Sequence, residues 1–196
     1  EPPMVSILVC YGTGEGQTAT VADRIVDVLT GRGHDATAVR ADDLPSAVDL
    51  EAFDAVLVGA SVHMGTHQQS VRTFVIEHRE QLAARPTGFF QLSMSSAVAD
   101  ESRQAEAAGY VETFLEDTDW HPDRIARFGG ALRYSKYGFL KRLVMKRIAK
   151  TATGDTDTSR DYEYTDWDEV ETFAADFASF VEGRLGVGPP ESTDAN

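Results

Sequence analysis

Cysteine is almost absent from this sequence of 196 residues. The single one, Cys10, lies within the first apolar run, which excludes an internal disulfide bond and a cluster of thiolate ligands. We interpret Cys10 as a small buried residue of a strand. His63 and His67 are four residues apart, but no carboxylate or cysteine completes a set of metal ligands around them. We therefore expect no bound metal.

Long apolar runs are also lacking. No window approaches the roughly 20 uninterrupted apolar residues that a membrane-spanning helix needs. The first stretch, EPPMVSILVC, is acidic and passes directly into an apolar strand pattern, unlike a secretory signal. We therefore expect a cytoplasmic protein with a single domain over residues 1–186 and a disordered tail over 187–196.

Basic residues are scarce, and lysine is the scarcest. The formal net charge is −14, and four lysines accompany 14 arginines. Phosphates would meet a negative field, so the composition argues against nucleic-acid binding. An acidic, lysine-poor surface favours a halophilic habitat, in which net charge keeps proteins soluble. A bias in genomic base composition would also enrich arginine.

The chain alternates between strand and helix patterns. Five apolar segments are predicted strands: 5–11, 35–41, 53–61, 87–94 and 124–132. Segments with helical periodicity follow them: 18–33, 68–84, 101–118 and 166–185. This order predicts an α/β fold with a five-stranded parallel sheet and helices on both faces. Ligands of such folds bind beyond the carboxyl ends of the strands.

A glycine-rich turn, YGTGEGQTATVADRI, joins the first strand to the first helix. Backbone N–H groups point outward at such a helix start, and the helix dipole favours an anion. Thr13, Thr18 and Thr20 add hydroxyl donors. The turn lacks the G-x-G-x-x-G spacing of dinucleotide sites and the lysine of P-loop proteins. A phosphate with no other charged partner is therefore favoured over a dinucleotide or a nucleoside triphosphate.

Two further loops lie at the same edge of the predicted sheet, GASVHMGTHQQS (59–70) and SMSSAVADES (93–102). Their small residues let a planar ligand approach the backbone. Three such loops around one crevice fit a flat heterocycle with a phosphate tail. Nucleophilic catalysis has little support, because no G-x-S-x-G elbow is present.

Several motifs resemble known proteins. TGEGQT and VLVGASVHMGTHQQSVRTFV resemble flavodoxin-like proteins. The combination of DWHPDRIARFGGALRY, a basic insertion and GDTDTSRDYEYTDWDEVETFA resembles the menaquinone-dependent protoporphyrinogen IX dehydrogenases, which form the flavodoxin-like protoporphyrinogen oxidase family. The likeness covers roughly residues 4–182. It implies a flavodoxin-like fold with an insertion at the fifth strand, over about 132–163.

The resemblance also implies a function. The cofactor would be FMN, the substrate a tetrapyrrole of haem biosynthesis and the electron acceptor a quinone. The residues that would hold the phosphate are Thr13, Gly14, Glu15, Gly16, Gln17 and Thr18. The residues that would flank the flavin ring are Ala60, Ser61, Val62, His63, Ser93, Met94, Ser95, Ser96, Gly129, Gly130 and Ala131. No catalytic acid or base is identified.

Two other functions stay open. A flavodoxin-type electron carrier needs an exposed flavin edge and little else, so a basic insertion argues against it. An NAD(P)H:quinone reductase of this fold needs no second nucleotide motif, so the absence of one does not exclude it.

The segment ALRYSKYGFLKRLVMKRIAK (131–150) holds all four lysines and no acidic residue. An apolar stripe at helical spacing runs through it: Phe139, Leu140, Leu143, Val144 and Ile148. Basic residues flank the stripe, a pattern typical of helices that lie on membrane surfaces. Three interpretations stay open: contact with a membrane and its quinone, a subunit interface in a homo-oligomer, or packing on the protein's own core.

Membrane contact would run through 136–150 and place the protein peripherally on the cytoplasmic face of the cell membrane. Arg133 and Tyr134 precede this helix and lie nearest to the expected flavin edge. We predict that they contact an anionic group of the substrate, such as a porphyrin propionate.

Overall fold

The computed structural model describes residues 5–45, 48–132, 139–157 and 159–187. The main sheet consists of β1 (Ser6–Tyr11), β2 (Asp35–Arg40), β3 (Ala55–Ser61), β4 (Thr87–Ser93) and β5 (Arg124–Gly129). Their order is β2-β1-β3-β4-β5, and every adjacent pair is parallel. The predicted five-stranded parallel sheet is confirmed. Its order reverses between β1 and β3, which is where ligands bind in sheets of this kind.

Helices cover both faces of the sheet. The covering helices are α1 (Gln17–Gly31), α2 (Gln69–Glu77), α3 (Arg79–Ala83), α4 (Glu101–Thr118) and α6 (Trp167–Leu185), whereas α5 (Phe139–Ala152) packs in a separate small cluster. The buried side chains of α1 and α6 share one apolar cluster with the sheet, and those of α2, α3 and α4 share the other. Two cores therefore hold the carboxyl ends of the strands at one edge.

Strand β1 shows why the sheet has two buried faces. Ile7 and Val9 belong to the cluster under α1 and α6, whereas Leu8 and Cys10 belong to the opposite cluster. This alternation follows from the two-residue period of a strand. Cys10 is fully buried, as expected, and burial raises the pKa of its thiol well above the ordinary range.

The helix predicted over 68–84 is divided in two. Residue His78 separates α2 from α3, with φ −112° and ψ 17°. Its backbone N–H and its ring Nδ1 both lie within hydrogen-bond distance of the Phe74 carbonyl, at 3.1 and 2.8 Å. The side chain thus competes for the backbone acceptor and favours a turn there. The bend still lets Leu82 bury its side chain completely.

The strand predicted over 124–132 ends at Gly129. A Cβ atom at Gly129 would lie 2.5 Å from the Tyr164 carbonyl oxygen, so the backbones approach closely here. Beyond the break, β6 (Ala131–Leu132) leaves the main sheet and pairs antiparallel with β7 (Tyr162–Glu163). The segment that contains α5 therefore begins and ends at this small two-stranded ribbon.

The apolar face of α5 differs from the predicted stripe. Met145 and Ala149 are buried against Leu132, whereas Leu143 and Val144 are 51% and 44% exposed. Packing on the protein's own core therefore uses a different side of the helix. The other members of the stripe and the predicted substrate contacts lie outside the described side chains: Phe139, Leu140, Ile148, Arg133 and Tyr134.

Two further predictions concern membrane-spanning helices and the end of the chain. Within the described ranges, no helix is long and apolar enough to cross a membrane. Of the tail predicted over 187–196, Val187 is described and packs against the α1–α6 cluster, and 188–196 lie outside the described residues.

Candidate functional site

A cavity of about 390 Å³ opens at the carboxyl ends of β1, β3 and β4. Most of the predicted cofactor residues line it: Thr13, Glu15, Gln17, Thr18, Ser61, Val62, His63, Ser93, Met94, Ser95, Gly130 and Ala131. The remaining predicted residues are not among those that line the cavity: Gly14, Gly16, Ala60, Ser96 and Gly129. Side chains that the sequence did not indicate also line the cavity: Met64, Leu92, Arg103, Glu106, Tyr110, Met145 and Arg147.

The first loop ends in an uncapped helix start. Gly16 adopts φ 99°, a left-handed conformation that glycine enters at little cost, and α1 begins directly after it. No side chain caps this end of α1, and its first turn holds no acidic residue. The Gly16 N–H donates to Thr13 Oγ1 over 2.9 Å, which leaves the Thr13 hydroxyl hydrogen able to donate elsewhere. The helix end therefore presents donors to an anion.

Thr18 adds a buried hydroxyl to these donors. The residue is 1% exposed, and its Oγ1 has no hydrogen-bond partner among the described residues. A buried hydroxyl without a partner costs free energy, and native proteins rarely retain one without reason. Since Thr18 lines the cavity, an acceptor atom of a ligand is the partner that this position lacks.

Gln17 connects the loop to the far side of the site. Its amide nitrogen donates to Glu163 Oε1 at 2.7 Å and to Thr165 Oγ1 at 3.0 Å. Thr165 Oγ1 in turn donates to the Gly129 carbonyl at 2.7 Å. The first loop, the end of β5 and strand β7 are therefore joined by one chain of hydrogen bonds.

The second loop is braced by reciprocal hydrogen bonds. The Ser61 N–H donates to Gln68 Oε1, and Gln68 Nε2 donates to Ser61 Oγ, at 3.1 and 2.6 Å. Beyond Ser61 the chain turns back through Met64, which has a positive φ of 52°. His63 Nδ1 lies 4.0 Å from Glu15 Oε1, which brings the first and second loops together.

His67 serves the core and does not line the cavity. Its ring contacts Phe114 with 4.8 Å between centroids, and its Nε2 lies 2.8 Å from Gln91 Oε1. Burial lowers the pKa of His67, against the opposing effect of the Gln91 hydrogen bond, so the neutral ring is favoured. Within the described residues no three potential ligands gather into a metal site.

The third loop closes on the end of β5. Ser93 Oγ lies 3.1 Å from Ser96 Oγ and accepts the Ser96 N–H at 3.2 Å. The Gly130 N–H donates to the Ser93 carbonyl, and the Tyr164 N–H donates to the Gly130 carbonyl. These backbone contacts give the cavity a narrow, flat wall of small residues.

A polar cluster on α4, formed by Arg103, Glu106 and Tyr110, also lines the cavity. Arg103 Nη1 donates to Glu106 Oε2 at 2.9 Å, and the Tyr110 hydroxyl donates to Glu106 Oε1 at 2.5 Å. The Tyr110 bond, assisted by Arg103, lowers the pKa of Glu106 against the effect of burial. Burial and the Glu106 carboxylate raise the pKa of Tyr110. The sequence analysis missed this cluster, although its members share one helix face at spacing i, i+3, i+7 shortly after the third loop.

Comparison with known proteins identifies the class. A family model described as a flavodoxin domain matches residues 8–159. The fold is similar to that of Flavodoxin 2 from Bacillus cereus, with a TM-score of 0.56 at 17% identity, over 89% of this chain and 99% of that one.

Curated relatives narrow the class further. The chain is 31% identical to protoporphyrinogen IX dehydrogenase (quinone) of Escherichia coli K12, over 89% of this chain and 96% of that protein. It is 33% identical to the protein of the same name from Leishmania major, over 88% of this chain and 74% of that protein. The chain therefore belongs to the flavodoxin-domain family and, within it, to the family of the protoporphyrinogen IX dehydrogenases (quinone).

FMN is the cofactor that flavodoxin-domain membership identifies. The residues present fit this group. Among the described residues the Thr18 hydroxyl has no partner and no side chain caps the start of α1, and both features suit a phosphate. The cavity continues between two loops of small residues, as a flat ring requires.

Proposed function

We propose that this protein oxidises protoporphyrinogen IX, or a closely related tetrapyrrole, to the corresponding porphyrin and passes the electrons to a quinone in haem biosynthesis. The observation that carries the proposal is the match to the dehydrogenase of E. coli K12 over 96% of its length. The cavity supports it, because it has the donors and shape for FMN and a polar rim beyond them.

Each wall of the cavity has a separate part in this proposal. The Thr18 hydroxyl, the Thr13 hydroxyl and the first N–H groups of α1 would hold the FMN phosphate. Residues 61–63, 93–96 and 129–131 would flank the flavin ring. When bound, FMN would supply the redox chemistry, by carrying electrons and protons in pairs from the substrate to successive quinone molecules over repeated turnovers until the porphyrinogen becomes the porphyrin.

The chain's own residues orient the reactants and limit water. Ser61 is held by Gln68, and Gly130 is held by the Ser93 carbonyl, so each wall is braced by its own hydrogen bonds. Leu92 and Met94 supply apolar lining between them. A rigid, partly apolar slot orients a planar group with little loss of entropy on binding.

The test is an anaerobic assay of the FMN-loaded protein with protoporphyrinogen IX and a menaquinone analogue. We expect porphyrin fluorescence to appear only when the quinone is present. Protein that holds FMN but gives no quinone-dependent oxidation would contradict the proposal. Rapid bleaching of the flavin by NADPH would instead indicate an NAD(P)H:quinone reductase, and reversible reduction without turnover an electron carrier.

We further propose that α5 attaches the protein peripherally to an anionic membrane surface, where quinones are dissolved. Leu143 and Val144 are exposed beside the exposed basic residues Lys146, Arg147 and Lys150. The opposite face of α5 is already occupied, because Met145 and Ala149 pack on the protein. Apolar insertion and attraction to anionic lipid act together in such helices.

Vesicle flotation tests this attachment. The double substitution Leu143→Ser and Val144→Ser should release the protein from vesicles that contain phosphatidylglycerol, while FMN content stays unchanged. Ile76→Ser is the matched control, since Ile76 is 48% exposed on α2. If the double variant stays bound to the vesicles as the Ile76→Ser control does, the proposal is wrong. If the wild type is a dimer that the double substitution converts to a monomer, the face is a subunit interface.

A further inference from the structure

We propose that Arg103 is the residue that binds a carboxylate of the substrate, and that Glu106 and Tyr110 position its guanidinium group. This inference rests on the proposed function, because a porphyrinogen carries carboxylate side chains that a site must accommodate. It assigns a role to the polar cluster on α4, which contains none of the residues predicted to bind the cofactor.

The negative charge of the protein opposes the binding of a carboxylate, so a carboxylate subsite in the cavity needs a cationic side chain. The protein has a formal net charge of −14, and Glu15 and Glu106 both line the cavity. A carboxylate entering this field is repelled unless a fixed positive group faces it. Among the described residues, no lysine and two arginines line the cavity, Arg103 and Arg147.

Arg103 is the better placed of these two arginines. Its side chain is 26% exposed and stands on the first turn of α4, at the end of the third loop. Arg147 also lines the cavity, from α5, but it is an exposed residue. Partial burial reduces screening by water and salt, so a carboxylate gains more from Arg103 than from an exposed arginine.

The guanidinium group has donors to spare. Arg103 uses Nη1 for Glu106, and within the described residues its Nε and Nη2 donate no hydrogen bond. A guanidinium can present two parallel N–H groups to a second carboxylate while it keeps the first. Lysine cannot reproduce this forked geometry.

Glu106 and Tyr110 determine where the fork points. Glu106 Oε2 holds Arg103 and its Oε1 accepts the Tyr110 hydroxyl, so the carboxylate cannot rotate freely. A guanidinium that is held before binding loses less side-chain entropy when the substrate arrives.

Porphyrin binding to the FMN-loaded protein tests this assignment. The probes are protoporphyrin IX, with free carboxylates, and its dimethyl ester, presented in the same detergent. Arg103→Gln should weaken binding of the free acid about 10-fold or more and leave the ester unchanged. Arg103→Lys should give an intermediate loss. Arg127→Gln is the matched control, because Arg127 is exposed and contacts α4 through the Gln104 carbonyl without lining the cavity.

Kinetics and the cofactor supply independent readouts. Arg103→Gln should raise KM for protoporphyrinogen IX about 10-fold with kcat retained, since a binding contact remote from the reacting atoms acts mainly on KM. Tyr110→Phe should raise KM by a smaller factor. The dissociation constant of FMN and the midpoint potential of the bound flavin should stay unchanged in both variants.

Three results would overturn the assignment. In the first, Arg103→Gln binds both porphyrins as tightly as wild type. In the second, its affinities for the free acid and for the dimethyl ester fall by the same factor. In the third, the affinity for FMN or the midpoint potential of the flavin changes, which would make Arg103 a flavin contact. Failure of the proposed function is distinguishable. In that case the wild type itself would neither bind protoporphyrin IX nor oxidise the porphyrinogen, and both inferences would fall together.

Discussion

The side-chain amide of Gln17 donates a 2.7 Å hydrogen bond to the carboxylate of Glu163, across 146 positions of sequence. The first residue of α1 is thereby attached to the strand that closes the α5 segment. The phosphate end of the site and the base of that segment are consequently one structural unit, and a change in either should be felt in the other.

Substitution of Gln17 by leucine should destabilise the protein without FMN by about 1–3 kcal/mol, because Glu163 and the buried Thr165 lose a donor. Urea unfolding of the apoprotein measures this change. Gln69→Leu is the control, since Gln69 is exposed and makes one long contact to Thr73, at 3.4 Å. Equal midpoints for the two variants would show that the link contributes nothing to stability.

Replacing Thr18 by valine should weaken FMN binding by about 1.5–3 kcal/mol, the usual range for a hydrogen bond to a charged group. The stability of the apoprotein should not fall, because the Thr18 hydroxyl has no partner within the described residues. Quenching of FMN fluorescence gives the affinity. Thr30→Val, at the exposed far end of α1, serves as the reference and should bind FMN normally. Unchanged affinity in Thr18→Val would remove the hydroxyl from the phosphate site.

Two adjacent glycines should respond differently to alanine. A Cβ at Gly129 would lie 2.5 Å from the Tyr164 carbonyl oxygen, whereas at Gly130 the nearest atom is 3.7 Å away. We expect Gly129→Ala to cost about 1–3 kcal/mol of unfolding free energy and Gly130→Ala less than about 1 kcal/mol. Thermal unfolding of the two apoproteins compares them directly, and similar losses would contradict the close approach at Gly129.

Stability should depend on pH through His67. Burial lowers the pKa of His67, so the unfolded chain binds this proton more tightly than the folded protein does. The contribution of neutral His67 to stability is therefore complete above the unfolded pKa of about 6.5 and is lost as pH falls toward the folded pKa.

Urea unfolding across pH 5–8 measures this dependence. The stability difference between wild type and His67→Gln should shrink below about pH 6.5 and stay constant above it. His121→Gln is the control, because its side chain is 89% exposed. A difference that does not vary with pH would exclude His67 as the titrating group.

Much of the fold follows from the sequence, because each strand of the main sheet and most helices are encoded by their own periodicity. The exceptions are places where a distant contact decides the conformation. Gly129 ends β5 because the backbone of Tyr164 approaches it, and no local pattern at Gly129 reports that contact. His78 interrupts a helix through a bond to Phe74 that periodicity does not reveal.

The candidate site was predictable on the side built from loops. Thr13 lies in the loop after β1, Thr18 lies on the first turn of α1 and Ser61 ends β3, and the sheet order brings these positions together. Arg103 and Tyr110 were missed because charged and aromatic residues are common on helix surfaces. Only the packing of α4 beside the third loop makes them part of the cavity.

The two-stranded ribbon of β6 and β7 also has a consequence for protein engineering. Leu132 and Tyr162 are opposite each other in that ribbon, so the backbone enters and leaves the intervening stretch at almost the same point. A two-residue turn could join these strands as a hairpin, and the shorter loop would cost less closure entropy. The chain between Leu132 and Tyr162 could therefore be removed or transplanted as a unit without changing the order of the strands in the main sheet.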